Sequence, residues 1–253
     1  MSDFDSAWKV DIRGDLSDLE YLAQTLITGS TTVTKTTEGD ADLYIYRSSK
    51  FDACNDSREV TTIAQPLLSC LTGILFFAKS ARTPLTIGSI RKKNAHGGDD
   101  TFVGLCEKLV LHDETGVLSV SSTDKFGNAI PQPVVRPRSA VLADLTESEP
   151  NIAKAMRLYA AKDANTWTGL YKLLEVIEDD LGGETQLLQT EWSTKEQRKR
   201  FKHSSGSVEV AGDAARHAVE KTTPPKNPMH LDGAIAYINY LLHAWIESKI
   251  QGD

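Results

Sequence analysis

Residues 166–183 read TWTGLYKLLEVIEDDLGG, and this stretch decides how the C-terminal part of the chain folds. Trp167, Leu170, Tyr171, Leu174, Ile177 and Leu181 recur at intervals of three and four, the spacing that lines one face of an α-helix. Gly182-Gly183 supplies the stop, because glycine enters the left-handed conformation that ends helices. The spacing predicts an amphipathic helix over 166–181, and such a helix needs neighbours to cover its stripe.

Those neighbours are legible on both sides. Pro150 opens a helix predicted to run to residue 161, since proline is tolerated in a first helical turn. Residues 193–196 (STKE) fit a capping box with Ser193 as cap, starting a basic helix to about 203. Residues 208–221 are expected to be helical in their later part, and Pro224, Pro225 and Pro228 then break the chain. A last helix over 231–249 carries Ile235, Ile238, Leu242, Trp245 and Ile246 on one face.

Upstream the periodicity changes. Residues 8–12 (WKVDI) alternate as a strand does, and 16–27 return to helical spacing with Asp15 or Ser17 as cap. Residues 31–37 and 42–47 (DLYIYR) are β-prone and flank the turn Glu38-Gly39-Asp40. Residues 57–71 predict a helix interrupted by Pro66 and ended by Gly73. Residues 74–78, 85–90, 102–111 and 117–120 are expected as strands, with 91–100 (RKKNAHGGDD) as a long polar loop.

The fold class expected is therefore α+β: a mixed region over 1–126, a proline-bearing linker over 127–148, and an all-helical bundle over 149–253.

Composition narrows function. Hydrophobic residues at 40% and charged residues at 25% support a packed core. The longest apolar run, 74–78, is far shorter than the ~20 residues a bilayer span needs, and the acidic N-terminus lacks a signal-peptide pattern. Both point to the cytoplasm and to no membrane partner. Cys54, Cys70 and Cys106 are widely spaced and form no CxxC, so a disulfide framework, a metal and a cofactor are all unexpected. Residues 1–148 carry 15 Lys+Arg against 20 Asp+Glu, and 149–253 carry 13 against 15, giving −5 and −2 of the total −7. Nucleic-acid binding would have to come from a local patch.

One such patch is KEQRKRFKH, 195–203. Lys195, Arg198, Lys199 and Lys202 fall three and four apart, and with Arg200 they suit phosphate contacts, leaving Phe201 or His203 to stack on a base. A second cluster is GDAARH, 212–217. On a helix, Asp213 meets Arg216 and His217 on one side, where the carboxylate would orient the imidazole as a general base. Each feature also has a plain structural reading: a solvated charged face for the first, an ion pair beside a helix cap for the second. The loop His96-Gly97-Gly98-Asp99-Asp100 and the run His112-Asp113-Glu114 read as turns.

The elements LYKLLEVIEDDLGG, RFKH, AGDAARHA, PPKNPM and LLHAW resemble a recurrent bacterial C-terminal domain of unassigned function, over about a third of the chain. More distantly, an Arg/His element before a terminal helix resembles the HEPN superfamily, whose members include metal-independent ribonucleases of toxin and phage-defence systems. Their motif is Arg, four to six residues, then His. Arg198 and His203 match it in spacing, and Arg216 and His217 match in position but are adjacent. The resemblance implies that Arg stabilises phosphate while His activates a ribose hydroxyl. Two functions are thus expected: a non-catalytic binding or scaffold protein, with a protein partner, self-association or RNA on its helical domain, or a metal-independent ribonuclease.

Overall fold

The structure, a computed structural model, describes residues 7–81, 83–103, 136–215 and 225–251. Its class is α+β: a five-stranded antiparallel sheet in the N-terminal part, then helices. The chain divides into two compact units, Met1–Asp144 and Leu145–Asp253.

In the first unit the strands are β1 (Trp8–Arg13), β2 (Thr31–Glu38), β3 (Ala41–Ser48), β4 (Thr86–Lys93) and β5 (Asp99–Val103), in the order β2-β3-β1-β4-β5. The turn at Gly39 has a positive φ of 62°, the conformation that glycine adopts without a Cβ clash. It sets the β2–β3 register, with Glu38 opposite Ala41 and Val33 opposite Tyr46. Trp8, Val10 and Ile12 alternate along β1, and each is buried. Asp11 between them points to the other face. There it accepts a hydrogen bond from the Ser89 hydroxyl and pairs with the Arg91 guanidinium.

Two helices cover the sheet. In α1 (Leu16–Thr25) the Asp15 carboxylate caps the first turn by accepting from Ser17 N at 2.9 Å. In α2 (Ser57–Lys79) Asp56 does the same for Arg58 N and Glu59 N. Lys79 near the end of α2 reaches Asp18 of α1 at 2.9 Å.

Here the structure corrects the sequence reading. Residues 74–78 are not a strand; α2 continues through Gly73 and Ile74 and ends at Ser80 in a left-handed cap. A mid-helix glycine costs about 1 kcal/mol, but Leu68, Leu71, Ile74 and Leu75 carry the buried face across it. Pro66 is exposed and leaves the helix unbroken. The joined helix is 23 residues with a hydropathy of 1.7 over its most apolar window, so it is long and apolar enough to cross a membrane; half of that window is buried. The polar loop over 91–100 is also shorter than expected. β4 runs to Lys93 and β5 begins at Asp99, and the Asn94 side chain ties the turn by accepting from His96 N and Gly98 N. The strand expected at 117–120, most of that at 102–111, and His112-Asp113-Glu114 lie outside the described residues.

The proline-bearing stretch becomes helical in its last part, as α3 (Arg138–Ser148). In the second unit come α4 (Pro150–Tyr159), α5 (Trp167–Leu181), α6 (Glu184–Gln189), α7 (Lys195–Gly206), α8 (Val208–Ala211) and α9 (Leu231–Gln251). The stripe of α5 is the organising face: it packs against α4, α6, α7 and α9. The expected stop is in place, with Gly182 at φ 93° as the C-terminal cap, while Thr166, expected inside the helix, instead caps it by accepting from Gly169 N. Asp180 at the end of α5 accepts from the Trp245 indole at 2.9 Å and pairs with Lys249 at 2.9 Å, which clamps α9 to α5.

Candidate functional site

The basic helix α7 forms as expected, but its cap is one residue later. Thr194 accepts from Gln197 N, and the Gln197 side chain accepts from Thr194 N. Ser193 is buried instead, hydroxyl to hydroxyl with Tyr237 at 2.6 Å.

Arg198 faces inward. Its side chain is 7% exposed. Nε and Nη2 donate to the two carboxylate oxygens of Glu178 at 2.5 and 3.0 Å, and Nη1 lies 2.6 Å from Glu184. Burial opposes its charge, but the two carboxylates more than offset that and hold the guanidinium charged, its pKa raised. Phe201 is also fully buried, ringed by Trp167, Tyr171 and Tyr237 at 5.7–6.3 Å between centroids. It has no face for a base. Tyr237, which closes this cluster, has its phenol pKa pushed up by burial, against a smaller downward pull from Ser193 and Arg198.

The remaining residues of α7 face outward. Lys195, Lys199 and Arg200 are exposed, while Lys202 and His203 are half-buried. The Lys202 ammonium sits 5.6 Å over the Tyr171 ring. Arg200 is fixed in place: Nε donates to the Asn227 carbonyl at 3.0 Å, and Nη2 to the Pro228 carbonyl at 2.7 Å. Lys199, Arg200 and His203 then line one side of a groove of about 460 Å³, and Pro225, Lys226 and Asn227 line the other. Among the described residues Glu196 is the carboxylate on its wall.

Arg200 also borders a second cleft of about 530 Å³, whose walls include Trp192, Met229, His230, Tyr237 and Tyr240. Tyr240 is 56% exposed. A basic trough and an aromatic slot thus adjoin across one anchored guanidinium.

The structure does not bring Arg198 and His203 together. Five residues on an α-helix turn about 140° from one another, so Arg198 meets Glu178 in the interior while His203 lines the groove. The second cluster changes as well. α8 stops at Gly212, Asp213 lies exposed in a single 3-10 turn over Gly212–Ala214, and Ala215 is extended. The continuous helix expected to set Asp213 beside Arg216 and His217 is broken between them. Arg216 and His217 themselves lie outside the described residues.

Sequence reasoning missed Lys226, Asn227, Trp192, His230 and Tyr240. The available signal was PPKNPM, residues 224–229, read as a chain break. Residues 225–229 lie outside any helix or sheet, so their carbonyls have no ladder partner, and Arg200 supplies donors to two of them. Among the described residues no group of three or more His, Cys, Asp or Glu is placed to hold a metal ion.

Comparison with protein-family models, with curated proteins and with solved structures finds no match to this chain.

Proposed function

We propose that the helical unit is a non-catalytic binding module that seats a phosphate-bearing polymer, RNA, on the α7 groove. One observation carries this reading. Lys199, Arg200, Lys226 and His203 converge on one groove against a single described carboxylate, in a chain whose net charge is −7. Charge concentrated locally against the sign of the whole is what phosphate recognition requires, and exposed lysines supply it through counterion release. The non-catalytic part rests on Arg198, because two carboxylates already engage the guanidinium that the ribonuclease motif would offer to phosphate.

The test is fluorescence anisotropy of a labelled single-stranded RNA across a salt series. Three cationic contacts give a slope of log K against log salt of about −2. A Lys199→Glu/Lys226→Glu double variant is expected to abolish binding while melting like the wild type, since both side chains are exposed. No binding at low salt, or an unaffected double variant, overturns the reading.

A second reading keeps His203 as a ribonuclease base, favoured by its place in the same groove as Lys199 and Arg200. Cleavage of that RNA without divalent metal, lost in His203→Ala, would replace binding with catalysis.

A further inference from the structure

The aromatic cleft beside the groove is unused by phosphate contacts, and its chemistry is of a different kind. Trp192 and Tyr240 offer ring faces, the buried Tyr237 and Met229 border them, and His230 stands at its side. Tyr240 is among the most exposed large hydrophobic side chains described, on an otherwise well-packed helix. Gly233 opens the cleft next to Met229, where a side chain would begin to fill it. Each cleft has the volume of a small-molecule site. The two are joined at Arg200, whose guanidinium is pinned by the Asn227 and Pro228 carbonyls and so reaches both without being reordered.

We propose that this cleft is a base subsite: an unpaired nucleobase stacks on Tyr240 and Trp192 while its phosphate lies in the groove at Arg200, Lys199 and Lys226. The ligand is then single-stranded, because a base held in a duplex has both faces covered by its neighbours. This rests on the binding reading above and adds the class of polymer to it. An acidic peptide fits less well. A helical peptide needs a continuous apolar trough over several turns, and an extended one needs a free sheet edge. Here the apolar part ends at Arg200, and the walls are α7, α9 and the turns that lead into them, with no strand among them.

The experiment compares three probes of equal length, about eight nucleotides: a single strand, an abasic strand of the same backbone, and a duplex. The full chain is expected to bind the single strand about tenfold more tightly than the abasic strand or the duplex, as one stacked base provides. Tyr240→Ala closes that gap and leaves abasic binding unchanged, and Tyr240→Phe keeps it. Equal binding of all three probes, or a Tyr240→Ala variant that weakens the abasic strand as much as the single strand, overturns the base subsite while leaving the phosphate groove standing. Failure of every nucleic-acid probe at low salt overturns both. Displacement of the single strand by an equally charged acidic peptide at lower concentration also overturns the subsite.

Discussion

Arg198 and Glu178 lie 20 residues apart on α7 and α5 and meet through two parallel hydrogen bonds, Nε to Oε1 at 2.5 Å and Nη2 to Oε2 at 3.0 Å. The planar guanidinium matches both carboxylate oxygens at once, which a lysine cannot do. Both side chains are largely shielded from water, at 7% and 13% exposed.

Arg198→Ala is therefore expected to be strongly destabilising, because it strands a shielded Glu178 carboxylate. Breaking one partner of a buried pair costs about 3–5 kcal/mol. Urea denaturation followed by tryptophan fluorescence measures it, and Arg198→Lys should recover part of the loss. Wild-type stability in Arg198→Ala would mean the pair contributes nothing to the fold.

Thr194→Ala and Ser193→Ala should separate cleanly. Thr194 caps α7, so its loss costs about 1 kcal/mol and frays the first turn. Ser193→Ala instead leaves the Tyr237 hydroxyl without its partner in a buried setting. Amide exchange at Gln197 and Arg198 distinguishes the two: faster in Thr194→Ala, unchanged in Ser193→Ala. Acceleration in Ser193→Ala but not in Thr194→Ala would place the cap at Ser193 instead.

Asp15 links a cap to pH. Hydrogen bonds from Ser17 hold its carboxyl below the ordinary aspartate range. A folded pKa below the unfolded one gives stability that is present above the unfolded pKa and is lost as pH falls through the folded value. Asp15→Asn retains a capping oxygen but does not titrate, so between about pH 5 and pH 2 it should lose less stability than the wild type. Asp15→Ala should be weaker by about 1 kcal/mol at neutral pH. Parallel acid limbs for wild type and Asp15→Asn would exclude Asp15 as a source of acid sensitivity.

Gly169→Ala should destabilise the second unit although alanine favours helices. A Cβ at 169 would collide with the Asp163 carbonyl and come within 2.8 Å of the Ala164 carbonyl, both of them backbone. Backbone cannot swing aside, so a cost of about 1–3 kcal/mol is expected in thermal melts. A raised melting temperature would show that the 163–166 turn yields freely.

Much of this architecture is legible in the residues alone, and the failures have physical causes. α5 could be read because one periodic face and a diglycine stop agree on where it ends. α2 could not, because its second half is apolar on nearly every side, and a run such as 74–78 has the same period in a buried helix as in a buried strand. KEQRKRFKH was visible as basic, but counting cations does not show which way they turn. Arg198 and Lys199 are adjacent in sequence, yet one is neutralised inside and the other faces the groove. Tyr240 and Lys226 were hidden because their importance depends on α7 and α9 meeting, a long-range fact with no local signature.

The sheet order has a consequence for how the chain folds. β1 comes first in sequence but lies at the centre, with Val10 opposite Tyr46 on one side and Ile90 on the other. A ribosome releases Trp8 long before it releases Lys92, its partner in β4. Until then β1 has a single neighbour, and one of its edges is open to pairing with any other chain. Closing that roughly 80-residue loop costs more chain entropy than closing the shorter one between β1 and β3, so the edge facing β4 is the later one to be covered. α2, the long apolar helix, occupies the interval and packs on β4.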